Sequence, residues 1–173
     1  MADDALRPML VAELALVEST IRDLGYDTRL DPDAEPVPAL AADLGDDGSG
    51  GHPALMVTLH QADLFADQAE LHVDVLLPFD VDPDRREDVA TAIDIVNRST
   101  SVGTYQLGGA TIGLHHAVTV DSGSSLPDDV VQDAVRAVVD EHERFSDYLE
   151  GVADDEISVL VLADLIAADG DGA

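Results

Sequence analysis

Val102-Gly-Thr-Tyr-Gln-Leu107, then Gly108-Gly109-Ala110, then Thr111-Ile-Gly-Leu-His-His-Ala-Val-Thr-Val120 is the stretch whose reading decides the fold. Two alternating runs flank a Gly108-Gly109 step, the signature of a tight antiparallel hairpin. Side chains alternate across a strand, so Ile112, Leu114, His116, Val118 and Val120 share one face of the second run. We expect this strand near the centre of a sheet, with Ile112, Leu114 and Val118 buried.

The neighbouring segments extend the pattern. Upstream, Asp82-Pro83 is a helix start, and Val89, Ile93 and Val96 form the apolar stripe of a helix ending near Arg98. Before it, Ala54–His60 and Glu70–Leu77 read as two strands, with Leu55, Val57 and Leu59, and Leu71, Val73, Val75 and Leu77, on their apolar faces. The short polar link between them suits an antiparallel pair. Residues 31–53 hold four prolines and a Gly/Asp/Ser run, and read as a flexible loop. Tyr26–Leu30 fits a short strand. Leu6, Leu10, Leu14, Val17, Ile21 and Leu24 give a helix over 4–24, stopped by Gly25.

Downstream, Ser125 with Asp128 has capping-box spacing. Val131, Val135, Val138, His142, Phe145 and Leu149 form a long amphipathic helix to about residue 150, interrupted at Gly151. Residues 152–168 are an apolar C-terminal extension. Ile157, Leu160, Val161, Leu165 and Ala168 suggest a last short helix, although Ile157–Leu162 alone also suits a strand, and residues 169–173 read as a frayed tail. The sum is a single domain over 1–173 of class α+β: two layers, a mainly antiparallel sheet with helices packed on one face.

Composition narrows the function. The 173 residues include 28 Asp, 9 Glu, 8 Arg, no Lys and no Cys, for a formal net charge of −29. Without Lys there is no P-loop lysine and no Schiff base; without Cys there is no thiol nucleophile, disulfide or thiolate metal site. The charge repels phosphate backbones and anionic membranes, so neither nucleic acid nor membrane is an expected partner. Disorder is not expected, because 46% of residues are hydrophobic and regularly spaced. Asp in excess of Glu with zero Lys resembles the cytoplasmic proteins of extremely halophilic archaea, in which molar salt screens such charge. The competing reading is an acidic mimic of nucleic acid. No apolar stretch reaches the roughly 20 residues of a membrane span. A cytoplasmic location is therefore expected.

The landmarks Leu24-Gly-Tyr26, Ala92-Ile-Asp-Ile-Val-Asn97, Gly103-Thr-Tyr-Gln-Leu107, Thr111–Val120 and Leu126-Pro-Asp-Asp129 resemble the YbjN family, which is similar in fold to type III secretion chaperones. Asn97, the only Asn of the chain, is the most distinctive of them. The resemblance covers roughly residues 5–150. It implies a small, often dimeric, chaperone-like or adaptor module with no established chemistry; no cofactor is expected. The long 31–53 segment and the 152–168 extension depart from that pattern.

Side chains with chemical potential have alternative roles. His60, His72 and His115 fall opposite the aliphatic stripes, and Asp74 shares the face of His72. If their strands are neighbours, these four offer an N,N,N,O set for a divalent metal. The alternative is a solvated polar face. His116, facing the other way, reads as a core histidine. Asp80-Val-Asp82-Pro-Asp84 has the start of a calcium-loop spacing, but Arg85 and Thr91 stand where Gly and Glu are needed. Ser122, Ser124 and Ser125 lack a Gly-x-Ser-x-Gly frame.

The leading expectation is a non-enzymatic protein that binds a segment of another protein and forms a homodimer. Met56 and Leu76 on the sheet, and Val159, Leu162 and Ile166 on the last helix, are the expected partner-binding residues. The alternative is a metal-dependent or unrecognised enzyme using His60, His72, Asp74 and His115.

Overall fold

A computed structural model describes residues 3–45, 51–61, 68–121 and 126–170. Helix α1 (Asp3–Asp23) opens the chain, with Leu14, Val17 and Ile21 buried along one stripe. Four strands follow: β1 (Asp27–Asp31), β2 (Ala39–Asp43), β3 (Ala54–Gln61) and β4 (Gln68–Asp80). A 3₁₀ turn at Pro83–Arg85 leads into α2 (Arg86–Val96). Strands β5 (Thr104–Gly108) and β6 (Thr111–Asp121), then α3 (Asp128–Ala153) and α4 (Val159–Gly170), complete the order.

The six strands form one antiparallel sheet in the order β1-β2-β3-β4-β6-β5. The chain meanders through β4, crosses over by α2 to the edge strand β5, and turns back so that β6 lies between β4 and β5. The hairpin is therefore as expected, but β6 is one strand in from the edge and not central. Its tight turn is Gly109-Ala110, closed by the Gly108–Thr111 pair. Ile112 and Leu114 are buried and Val118 is half-buried.

Period-2 alternation sends Leu40, Leu55, Val57, Val73, Val75, Ile112 and Leu114 inward, all fully buried. The helix layer covers them: α1 lies over β1–β3, α3 over β4 and β6, and α2 over β5. Aromatic residues are few, and the largest buried ones, Tyr105 and Phe145, meet edge to face at 6.5 Å. The fold is α+β with helices on one face.

Three sequence expectations need correction. The 31–53 segment is not simply a loop, because β2 lies within it and buries Leu40 and Ala42 against Val57 and Leu55. The preceding turn is held down by Arg7, which donates to the carbonyls of Pro32 (2.7 Å) and Ala34 (3.0 Å). Residues 46–50 lie outside the described residues. Gly151 does not interrupt α3, which runs to Ala153. Its missing side chain instead admits Ile157, whose Cδ1 would stand 2.7 Å from a Cβ at that position. The Gly151 carbonyl accepts from the N–H groups of Glu156 and Ile157, both at 2.8 Å, which turns the chain into α4.

The third correction concerns α4. Leu162 and Ile166, expected on a partner surface, are 0% and 6% exposed and belong to the core; Val159 is half-buried against it. The outward side carries Leu160, Val161 and Leu165. The phase was ambiguous because this helix is apolar on every side. The capping-box serine, Ser125, lies outside the described residues; α3 starts at Asp128, preceded by Pro127 with no side-chain cap, and Asp128 accepts from Thr20 Oγ1 at 2.8 Å. Residues 171–173 of the tail also lie outside them.

Candidate functional site

The face of the sheet turned away from the helices carries the clustered ionisable groups. Strand register sets its rows. One row runs Arg29, Ala41, Met56, Asp74, His115, Thr104; the next runs Asp31, Ala39, Thr58, His72, Ala117; His60 and Glu70 pair beyond it. Because β3, β4 and β6 are adjacent, His60, His72, Asp74 and His115 do come together. Ring centroids are 4.3 Å apart for His60–His72 and 5.1 Å for His72–His115.

Each imidazole is committed to its own neighbour. His60 Nε2 lies 3.1 Å from Thr58 Oγ1, and His72 Nε2 lies 3.2 Å from Glu70 Oε2. His115 Nδ1 contacts Asp74 Oδ1 closely. The rings tilt past one another and their nitrogens point to separate partners. Among the described residues no group of three or more His, Asp or Glu is arranged to hold a metal ion. The four residues thus form a row of polar pairs and not a converging N,N,N,O set.

Burial is the main cause that depresses the His60 pKa below the ordinary histidine value, with His72 adding to it. His116 lies on the inward face but is half-buried, so the expected core histidine is only partly enclosed. Its pKa is also lowered, by burial first and then by His115. The histidine enclosed in the core is His142 on α3.

Beside the row, Met56, Asp74, Leu76, Gln106 and His115 line a shallow depression of about 420 Å³. Met56 is half-buried and Leu76 is 41% exposed, so both face the uncovered side as expected. The Asp82 carboxylate accepts from Asp84 N–H at 2.8 Å and so caps the 3₁₀ turn Pro83–Arg85, whereas α2 itself begins after Arg85 without a side-chain cap. The serines at 122, 124 and 125 lie outside the described residues.

The edges of the sheet differ. At β5, Asn97 lies just past the end of α2 and copies a strand's hydrogen bonding. Tyr105 N–H donates to Asn97 Oδ1 at 2.7 Å, and Asn97 Nδ2 donates to the Tyr105 carbonyl at 2.9 Å. These Tyr105 groups belong to the outermost strand, so the amide closes part of its free edge. Glu141 steadies the same region: it is 5% exposed, accepts from Ser101 N–H (3.2 Å) and Oγ–H (2.8 Å), and its carbonyl accepts from the Tyr105 hydroxyl at 3.1 Å. Burial raises the Tyr105 pKa, and the Glu141 charge adds to it.

The sequence marked Asn97 only as a family landmark, and Glu141 not at all. A lone Asn after a helical stripe is a usable signal, whereas one acid among 37 is not. At the other edge, β1 presents the charged side chains Asp27, Arg29 and Asp31. No protein-family model matches the chain and no curated protein matches it. Among the described residues no helix is long and apolar enough to cross a membrane.

Proposed function

We propose that this chain is a non-catalytic, cytoplasmic, chaperone-like adaptor, of the kind its YbjN-like landmarks imply and suited to molar salt, that holds an extended segment of another protein. The observation that carries this reading is the asymmetry of the sheet edges. The β5 edge is closed at Tyr105 by Asn97. At β1, by contrast, no side chain hydrogen-bonds to the strand's own backbone among the described residues. A client strand added there gains affinity from main-chain hydrogen bonds and selectivity from alternate side chains. Asp27, Arg29 and Asp31 act against indiscriminate pairing, as charged residues do on natural edges. The pairing of each histidine with its own neighbour favours binding over metal chemistry.

The test is affinity capture at molar KCl with mass spectrometry, followed by binding of the recovered protein's peptides. Proline is placed singly at Arg29 and at Leu30. Of two successive residues in an edge strand, one N–H faces β2 and the other faces outward. The outward-facing substitution should abolish client binding while leaving the circular dichroism unchanged. Undiminished binding by both folded variants would exclude the β1 edge. Metal bound stoichiometrically to protein purified without chelator, and lost in His72→Ala, would favour the enzymatic alternative.

A further inference from the structure

We propose that the client segment places a Lys or Arg side chain in the hollow between α1 and the loop joining β1 to β2. This rests on the β1-edge reading and names the side-chain chemistry selected there, and each of the two can fail without the other.

The beginning of α1 stands at the end of β1, where Arg7 reaches the Pro32 carbonyl. Between helix and loop lies a cavity of about 610 Å³, within the roughly 300–1,000 Å³ of ligand clefts. Leu6, Leu10 and Val11 line it from α1, and Pro36, Val37 and Pro38 from the loop. Pro32, also in the lining, directly follows Asp31, the last residue of β1. The end of a strand laid along β1 therefore comes up against this cavity.

The lining is rich in acceptors and poor in donors. Pro8, Pro32, Pro36 and Pro38 carry no N–H. The cationic side chain of the lining, Arg7, is already engaged: it donates to the carbonyls of Pro32, Ala34 and Pro36 and to the Glu35 carboxylate, at 2.7–3.4 Å. Asp33 and Glu35 are exposed, the Glu35 side chain at 84%, so two carboxylates stand against one guanidinium. The attraction of the α1 dipole for anions is confined to its first turn, and the lining begins only at Leu6. An acidic side chain would face two carboxylates here, and a purely apolar one would leave them without a partner. Lys and Arg suit both parts: the methylene stem lies on the Leu and Val surface while the head meets a carboxylate.

Molar salt makes this selection local. At about 1 M the Debye length is about 3 Å, so the net charge of −29 draws no basic segment from a distance. A head group in direct contact with Asp33 or Glu35 lies within that length. Burial of its stem needs no charge at all. Apolar hollow and carboxylates together, rather than acidity alone, then decide what binds.

The probes are blocked peptides of alternating Thr and Val, longer than β1. Each carries one Lys, Arg, norleucine, Ala or Glu near its N-terminal or its C-terminal end, for the two directions in which a strand can join β1. Amide shifts of the full chain are followed by NMR in about 2 M KCl, where long-range attraction is screened. The Lys and Arg peptides should shift Val11 and Val37 and bind about fivefold tighter than norleucine, the worth of one part-exposed ion pair. Ala should bind about tenfold weaker than norleucine through the lost methylenes, and Glu should bind weaker than norleucine. Asp33→Asn with Glu35→Gln, with the circular dichroism of the parent, should bind the Lys and norleucine peptides equally. The comparison of Lys with norleucine on the parent chain needs no variant. A Lys peptide no tighter than norleucine, or a Lys preference that survives in the folded double variant, overturns the basic side chain. Absence of shifts at Val11 and Val37 with every peptide at millimolar concentration overturns the hollow. Failure of the edge looks different: Lys-dependent shifts at Val11 and Val37 that persist in both proline variants of β1 keep the hollow and remove the strand pairing.

Discussion

Replacing Asn97 by Ala removes one side chain and strands two backbone groups. Tyr105 loses the acceptor for its N–H, at 2.7 Å, and the donor to its carbonyl, at 2.9 Å. Each hydrogen bond is worth about 1 kcal/mol net, and a group left unsatisfied costs about 1–3 kcal/mol when water cannot reach it. Tyr105 is 1% exposed overall, yet its outer backbone lies on an edge strand where water can enter once the amide is gone. The expected loss is therefore about 2–3 kcal/mol, near the sum of the two bonds with a modest penalty. In a chain of this length that lowers Tm by about 5–10 °C, at about 2–4 °C per kcal/mol. Urea unfolding at constant 2 M KCl measures it, and the slope should stay unchanged if only the native state is affected. Amide exchange gives the local readout: the Tyr105 N–H should lose protection in Asn97→Ala while the β3–β4 ladder keeps it. A loss under about 0.5 kcal/mol with Tyr105 still protected would refute the view that Asn97 closes this edge.

Gly103 has φ +74°, and a Cβ there would sit 2.7 Å from the His115 carbonyl oxygen, so Gly103→Ala should cost more than about 2 kcal/mol by thermal melting. Gly109→Ala, at φ +65° with open space around it, should cost only about 1 kcal/mol. The lowered pKa values of His60 and His116 mean that the unfolded chain binds more protons below about pH 6.5, so their contribution is full above that pH and is lost as pH falls. Stability of His60→Gln/His116→Gln should consequently vary less between pH 7 and pH 5 than that of the parent. Dialysis from about 2 M to 0.05 M KCl lengthens the Debye screening from about 2 Å to more than 10 Å, and a charge of −29 should then unfold the chain, seen as lost circular dichroism. Unchanged structure at low salt would remove the halophilic reading.

Much of the frame follows from periodicity. The strand alternation in 54–60, 70–77 and 111–120 by itself places three histidines and Asp74 on one face, because a period of 2 leaves no other option. The stripes of α1, α2 and α3 were equally legible. Strand β2 was not, since Ala39-Leu-Ala-Ala42 has little β propensity and sits between prolines. Its place in the sheet depends on partners: Leu40 becomes strand because β1 and β3 bracket it and α1 covers it. The phase of α4 failed for the opposite reason, an excess of signal. With apolar residues all round, only the inward step made possible by Gly151 and Ile157 decides that Leu162 and Ile166 face the core.

The histidine row shows where such inference stops. Parity fixes the face but not the neighbour, and neighbours depend on strand order. Had β5 and not β6 lain beside β4, His115 would stand one strand further from His72, and the row would be broken. The crossover through α2 sets that order, and Asn97 at its end helps fix β5 at the edge. Nor does parity say where a nitrogen points. Glu70 and Asp74, each two residues from His72 on β4, draw His72 and His115 toward separate carboxylates, and Thr58 takes His60. A metal needs donors to converge, whereas alternating acids and histidines along β4 spread them. The same residues that suggested a metal centre by composition thus become, by direction, a row of separately paired imidazoles on an uncovered face.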